Sequence, residues 1–186
     1  MKKILSYILL VAILTSCLKE EEPIEPYDRG GAIVKTISTG NNGDYSNQIF
    51  YDIGNNQEVA AINRTTWDLG FETTPTGTTI RLNTANKMQA SKTGETDFSA
   101  ITNITSITLD YYWDRSGGSE DSVALKDWII GGVVTNEVFI LDLGETPALA
   151  TRGFKKIQIL GMTATDFTIK YANIDGSNEH TLVIPK

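Results

Sequence analysis

Short windows that alternate apolar and polar residues recur along most of the chain, and they constrain its fold more than any other feature. Asn47 to Ile53 (NQIFYDI) sets Ile49, Tyr51 and Ile53 on one side of an extended backbone. Such period-two patterning marks a strand with one buried face. The turn residues Gly54-Asn55-Asn56 come next, and Glu58 to Ile62 (EVAAI) supplies a return strand, so a hairpin is predicted. Thr66 to Phe71 (TWDLGF) sets Trp67, Leu69 and Phe71 on one face. Beyond Pro75-Thr76-Gly77 a further strand is predicted over Thr78 to Asn83. The same reading predicts strands over Ser106–Trp113, Glu137–Leu143, Lys156–Leu160, Asp166–Tyr171 and His180–Ile184. No window of about twelve residues carries a helical stripe, and the best helical candidate is a single turn over Asp97–Thr102. The fold class expected is all-β, as one antiparallel β-sandwich-like domain.

The first segment is an address rather than a piece of that domain. Lys2 and Lys3 precede an apolar run, Ile4 to Leu14, which small residues link to the single cysteine, Cys17. That is the plan of a secretory signal, and about eleven apolar residues fall well short of the ~20 that a membrane-spanning helix needs. Leu14-Thr15-Ser16-Cys17 resembles the bacterial lipobox, in which the cysteine becomes the acylated first residue of the mature protein. A lone cysteine makes no internal disulfide, so Cys17 is expected to be a lipid anchor. Leu18 to Arg29 (LKEEEPIEPYDR) is charged and proline-containing, with little to bury, which predicts a flexible tether. Its lysine and acidic residues just after Cys17 resemble the export signal of surface lipoproteins in the Bacteroidetes group. The organisation expected is a signal peptide over 1–16, lipidated Cys17 with an acidic tether over 17–30, and the all-β domain over 31–186.

Residues 1–16 hold two of the 16 lysines and arginines and none of the 23 acidic residues, which leaves the mature chain with a net charge near −9. A chain of that charge with no basic stripe repels phosphate backbones, so nucleic acid is excluded as a partner. Residues 31–186 are enough to bury a core without disulfides.

Catalysis needs convergent titratable groups, and none are evident. His180, the only histidine, lies in a predicted strand with Leu182 and Ile184 on its face, where it reads as an ordinary strand residue. HExxH, GxSxG and glycine-rich phosphate loops are absent. The acidic pairs Glu120-Asp121 and Asp110/Asp114 read as a solvated loop, without the oxygen spacing of a calcium site. The protein is therefore not expected to be an enzyme.

Thr66 to Ile101 (TWDLGFETTPTGTTIRLNTANKMQASKTGETDFSAI) carries a W-D-L-G-F strand, a short turn, a strand ending R-L-N, a loop of small residues and a T-D-F element. Together these resemble the signature region of the HmuY-like lipoproteins of Bacteroidetes. The likeness extends to the opening hairpin, DWII, EVFILDLG, KKIQIL and FTIKYANI, and so covers most of residues 45–185. It implies an all-β fold that grips haem between two loop-bearing projections, takes it from host haem carriers and passes it to a TonB-dependent outer-membrane receptor. In the family, two histidine or methionine side chains hold the iron. The segments that match the family's ligand loops, Tyr112–Val123 and Ile129–Asn136, contain neither residue, so that ligand scheme does not carry over.

Within this resemblance the candidate pocket residues are Met88, Tyr111, Tyr112, Trp113, Trp128 and Met162, with Met88 or Tyr112 as candidate metal ligands. Lys87, Lys92 and Arg115 are candidate propionate partners. The haem reading expects an open cleft between Tyr112–Val123 and Ile129–Asn136, lined by aromatic and thioether groups. It implies a lipid-anchored outer-membrane protein, exposed at the cell surface, that serves iron acquisition. The residues leave a rival open: a surface lipoprotein on the same scaffold that binds a peptide, a glycan or an envelope partner instead.

Overall fold

The computed structural model describes residues 30–40, 44–117 and 119–186. The signal segment, Cys17 and the tether up to residue 29 lie outside the described residues. Residues 30–36 are exposed and without regular structure, and the compact unit that carries the fold is Ile37–Lys186. Every described strand and both hydrophobic clusters fall within that unit. A chain beginning at Leu18 keeps all of it.

The first hairpin joins β1 (Asn47–Asp52) to β2 (Gln57–Asn63) as predicted, with a register shift at Phe50/Tyr51. A second pairs β3 (Leu69–Phe71) with β4 (Ile80–Leu82). β5 (Gln89–Lys92) then enters the main sheet, and β6 (Ile129–Ile130) and β7 (Val133–Val134) form a small hairpin. β8 (Val138–Asp142), β9 (Phe154–Met162), β10 (Asp166–Ala172) and β11 (His180–Pro185) complete an antiparallel five-stranded sheet in the order β11-β10-β9-β8-β5. Described helical structure is limited to single 3-10 turns such as Phe98–Ala100, within the turn predicted over Asp97–Thr102. The chain is an all-β, sandwich-like domain.

Alternation along the strands divides the buried residues between the two faces of this sheet. Phe139, Leu141, Ile157, Ile159, Phe167 and Ile169 belong to one cluster, together with Ile80 and Leu82 of β4, Met88, Leu125 and Trp128; Leu69 and Phe71 of β3 pack against it. Val138, Ile140 and Ala172 belong to a second cluster, with Phe98 and Ile101. Two buried polar side chains bind the covering segment to this second face. Lys156 Nζ donates to the carbonyls of Phe98 (2.9 Å) and Ile101 (2.6 Å). Gln158 Nε2 donates to those of Thr96 (2.9 Å) and Asn136 (2.6 Å).

Several predicted strands are shorter in the structure, Thr78–Asn83 among them, which is reduced to Ile80–Leu82. Ser106–Trp113 pairs only at Tyr112, whose N–H and carbonyl bond Ala90 at 2.8 and 2.9 Å. The alternation there lays Ile107, Leu109 and Tyr111 against the second cluster without a neighbouring strand to ladder with. In Thr66–Phe71 the strand begins only at Leu69. The Asn63 side chain accepts the N–H of Thr65 (2.9 Å) and caps a 3-10 turn over Arg64–Thr66. Neither β5 nor β6–β7 was predicted. QASK lacks apolar alternation, and the short β6–β7 hairpin turns on Gly131 and Gly132, both at positive φ.

Candidate functional site

Ala90 and Lys92 of β5, the segment Tyr112–Arg115 and residues Asp121–Asp127 surround an open cleft of about 530 Å³. Its size is within the range of small-molecule sites, roughly 300–1,000 Å³. One wall is aromatic: Tyr112 and Trp113 line the cleft and are each 57% exposed. Lys92, Arg115 and Lys126 bring three cations to it, and Asp121 and Asp127 two anions. Lys92 is paired with Asp127 at 3.2 Å, while Lys126 Nζ donates to the backbone carbonyl of Asp121 at 3.0 Å.

Backbone clamps hold the aromatic wall in place. Asp114 accepts the N–H of Leu82 on one carboxylate oxygen and that of Ala124 on the other, both at 2.8 Å. This ties the wall to β4 on one side and to the opposite lip of the cleft on the other. The Arg115 N–H bonds the Ser122 carbonyl at 3.0 Å and closes the base of the loop between them. Asp110 accepts the Tyr112 hydroxyl at 2.6 Å, and its own N–H is held by Ser91 Oγ at 2.8 Å. Asp114 is thus a structural clamp rather than part of a solvated loop, whereas the Asp110 side chain is exposed, as expected. Nothing in the spacing of these carboxylates distinguishes backbone clamping from solvation.

The Asp110 hydrogen bond, reinforced by its charge, raises the pKa of Tyr112 above the ordinary tyrosine value. The phenol is therefore held in its protonated form. Burial, with the Asp142 charge adding to it, also raises that of Tyr111.

Of the predicted pocket residues, the structure brings only Tyr112 and Trp113 to this cleft. Met88 has no exposed surface and belongs to the first cluster, where it packs as an apolar side chain. Trp128 is also core: it is 2% exposed, donates to the Thr78 carbonyl at 2.9 Å and stands edge-on to Phe167. Tyr111 turns onto the second cluster and meets Phe154, with ring centroids 6.4 Å apart. Met162 packs at the end of β9, where its sulfur meets Lys186 Nζ at 3.7 Å.

The expected thioether lining is thus not found, and Ile129–Asn136 does not line the cleft. That segment folds into the β6–β7 hairpin, with Ile130 and Val133 exposed. Of the propionate candidates, Lys92 and Arg115 reach the cleft, whereas Lys87 is paired with Glu145 at 2.5 Å. Lys126 is a cleft cation that the sequence reading did not single out. His180 sits on the sheet's edge strand beside Tyr171, with centroids 5.2 Å apart, and fits the ordinary strand role expected of it.

The HmuY protein family model matches residues 44–180, which is most of the chain and includes both walls of the cleft. The chain belongs to the HmuY family. A second family model, the prokaryotic membrane lipoprotein lipid attachment site, matches residues 1–17 and ends on Cys17. This HmuY-family chain is accordingly a lipid-anchored, membrane-associated lipoprotein. Among the described residues no helix is long and apolar enough to cross a membrane. No curated protein and no solved structure matches the chain.

Proposed function

We propose that this HmuY-family lipoprotein is a non-enzymatic haem binder, with the cleft between Tyr112–Arg115 and Asp121–Asp127 as its capture site. The observation that carries this reading is the pairing of the Tyr112/Trp113 wall with a cluster of cations in a family-matched segment. A porphyrin is a flat apolar plate with two carboxylates at one edge. Aromatic faces suit the plate, and Arg115 and Lys126 suit the carboxylates through charge-assisted hydrogen bonds. Haem is the cargo, and the iron's need for axial ligands is met least well: no imidazole or thioether lines the cleft. Tyr112 supplies a phenol there. To ligate ferric iron its oxygen must give up the proton now shared with Asp110, either to that carboxylate or to solvent.

In this reading Cys17 carries the acyl anchor, and the tether gives the domain reach from the outer membrane at the cell surface. Haem arrives from host carriers and leaves to a TonB-dependent receptor. A second reading keeps the scaffold and replaces haem with a non-haem ligand or an envelope partner. It is favoured by one observation, the lack of histidine and methionine in the cleft lining.

A hemin titration of Leu18–Lys186, followed by visible absorption, tests the first reading. A saturable, sharpened Soret band at one equivalent is expected. Trp113→Ala should weaken binding by about 1.5–3 kcal/mol, the contribution of one large buried apolar side chain. Because the Tyr112 pKa is raised, ligation by its phenolate should strengthen as pH rises, and Tyr112→Phe should abolish that pH dependence. A spectrum no different from hemin with an unrelated acidic protein would favour the second reading.

A further inference from the structure

A second, smaller pocket lies on the sheet face that carries the first cluster, away from the aromatic wall. Its volume is about 230 Å³. Leu69 and Phe71 of β3 form one side, and Leu141, Leu143, Ile157 and Ile169 form the other. An apolar cavity of roughly 150 Å³ holds a benzene ring, so this one has room for a chain of about six to eight carbons. Polar groups also line it: Asp68, Lys155 and Tyr171.

The charges there are not balanced. Asp68 is paired with Arg152 at 2.8 Å, and Arg152 also donates to the Leu143 carbonyl at 3.1 Å. Lys155 Nζ instead donates to the side-chain oxygen of Asn173, a neutral partner. Lys155 takes part in none of the ion pairs among the described residues. The pocket therefore combines an aliphatic interior with a lysine at its wall whose ammonium rests on Asn173 and, among the described residues, has no carboxylate within ion-pair distance. An anionic head group gains a charge-assisted hydrogen bond from Lys155, whereas a cationic one meets an aspartate already taken by Arg152.

We propose that this pocket binds a medium-chain monocarboxylate, with the alkyl chain among Leu141, Ile157 and Ile169 and the carboxylate on Lys155. The site shares no lining residue with the haem cleft and does not depend on haem binding.

Octanoate titrated into Leu18–Lys186, with octanol and octylammonium as neutral and cationic counterparts, tests the proposal. Leucine and isoleucine methyl resonances report occupancy, and the thermal midpoint reports stabilisation. Octanoate should bind at least tenfold tighter than either counterpart and shift the methyls of Leu141, Ile157 and Ile169. Lys155→Gln should remove about tenfold of the octanoate affinity while leaving octanol unchanged, and Lys155→Arg should restore it. Equal binding of all three probes would overturn the proposal. So would unshifted methyls, or a Lys155→Gln variant with unchanged octanoate affinity.

Discussion

Lys156 is a cation with only 1% of its surface exposed, held between two backbone carbonyls. Its ammonium also stands 4.6 Å from the centre of the Phe98 ring, and that of Lys170 stands 4.7 Å from the same centre. Alternation within KKIQIL identifies a strand and sends Ile157 and Ile159 inward. It does not disclose that Lys156 and Gln158 are buried as well, because the layer that covers them comes from Thr96 to Tyr111, far away in sequence. Lys156→Met removes the donor from two buried carbonyls and should destabilise the domain by about 1–3 kcal/mol in urea unfolding. Desolvation lowers the Lys156 pKa below its ordinary value of 10.5. Between the lowered value and 10.5 the unfolded chain holds more protons than the folded one, so stability rises with pH through that window. The stability difference between wild type and Lys156→Met should therefore widen as pH approaches 10.5, and a difference that stays constant would contradict the assignment.

Pairing alone does not make a strand legible in the sequence: β5 pairs with β8, and β6 with β7, yet the short strands β5, β6 and β7 carry no alternation. β8 to β11 lie where alternation places them, since each pairs with the next strand along the chain and buries alternate residues. Ser106–Trp113 has the same alternation but pairs only at Tyr112, with Ala90 of β5, and pattern alone does not separate the two cases. The turn after β8 depends on geometry instead. Gly144 has φ +70°, and a Cβ built on it would meet the Asn86 carbonyl oxygen at 1.8 Å. An alanine that fits its backbone stabilises by about 0.4–1 kcal/mol. Here neither the positive φ nor the space admits a Cβ, so Gly144→Ala should destabilise by more than about 1 kcal/mol. It should also loosen the junction between Asn86 and Glu145, read by amide exchange at Glu145. Position in the sheet sets the cost of truncation. Phe139 in β8 has no exposed surface, and Phe139→Ala should lose about 3–5 kcal/mol. Val183 on the edge strand is 64% exposed, and Val183→Ala should stay within about 0.5 kcal/mol.

For the whole molecule, fold class, family and anchor were legible in the order of short motifs, whereas the binding site was legible only in part. Tyr112 and Trp113 could be found because adjacent aromatics in a polar loop are conspicuous. Met88 could not be separated from a ligand by pattern, since a thioether in a core and one in a pocket look alike until packing decides. Lys126 reaches the cleft only because the segment around Asp114 folds back against Ala124. The central claim is that haem binds at the β5 edge of the sheet, where Tyr112 bridges Ala90. β11, with His180, lies four strands away, about 19 Å at the usual spacing. The most direct measurement is the loss of NMR signal near paramagnetic ferric hemin, added at one equivalent to untagged Leu18–Lys186. The Trp113 indole resonance should vanish while the His180 ring and the β11 amides persist. Loss of the His180 signals with Trp113 retained would place the iron on the opposite edge of the sheet and contradict the account.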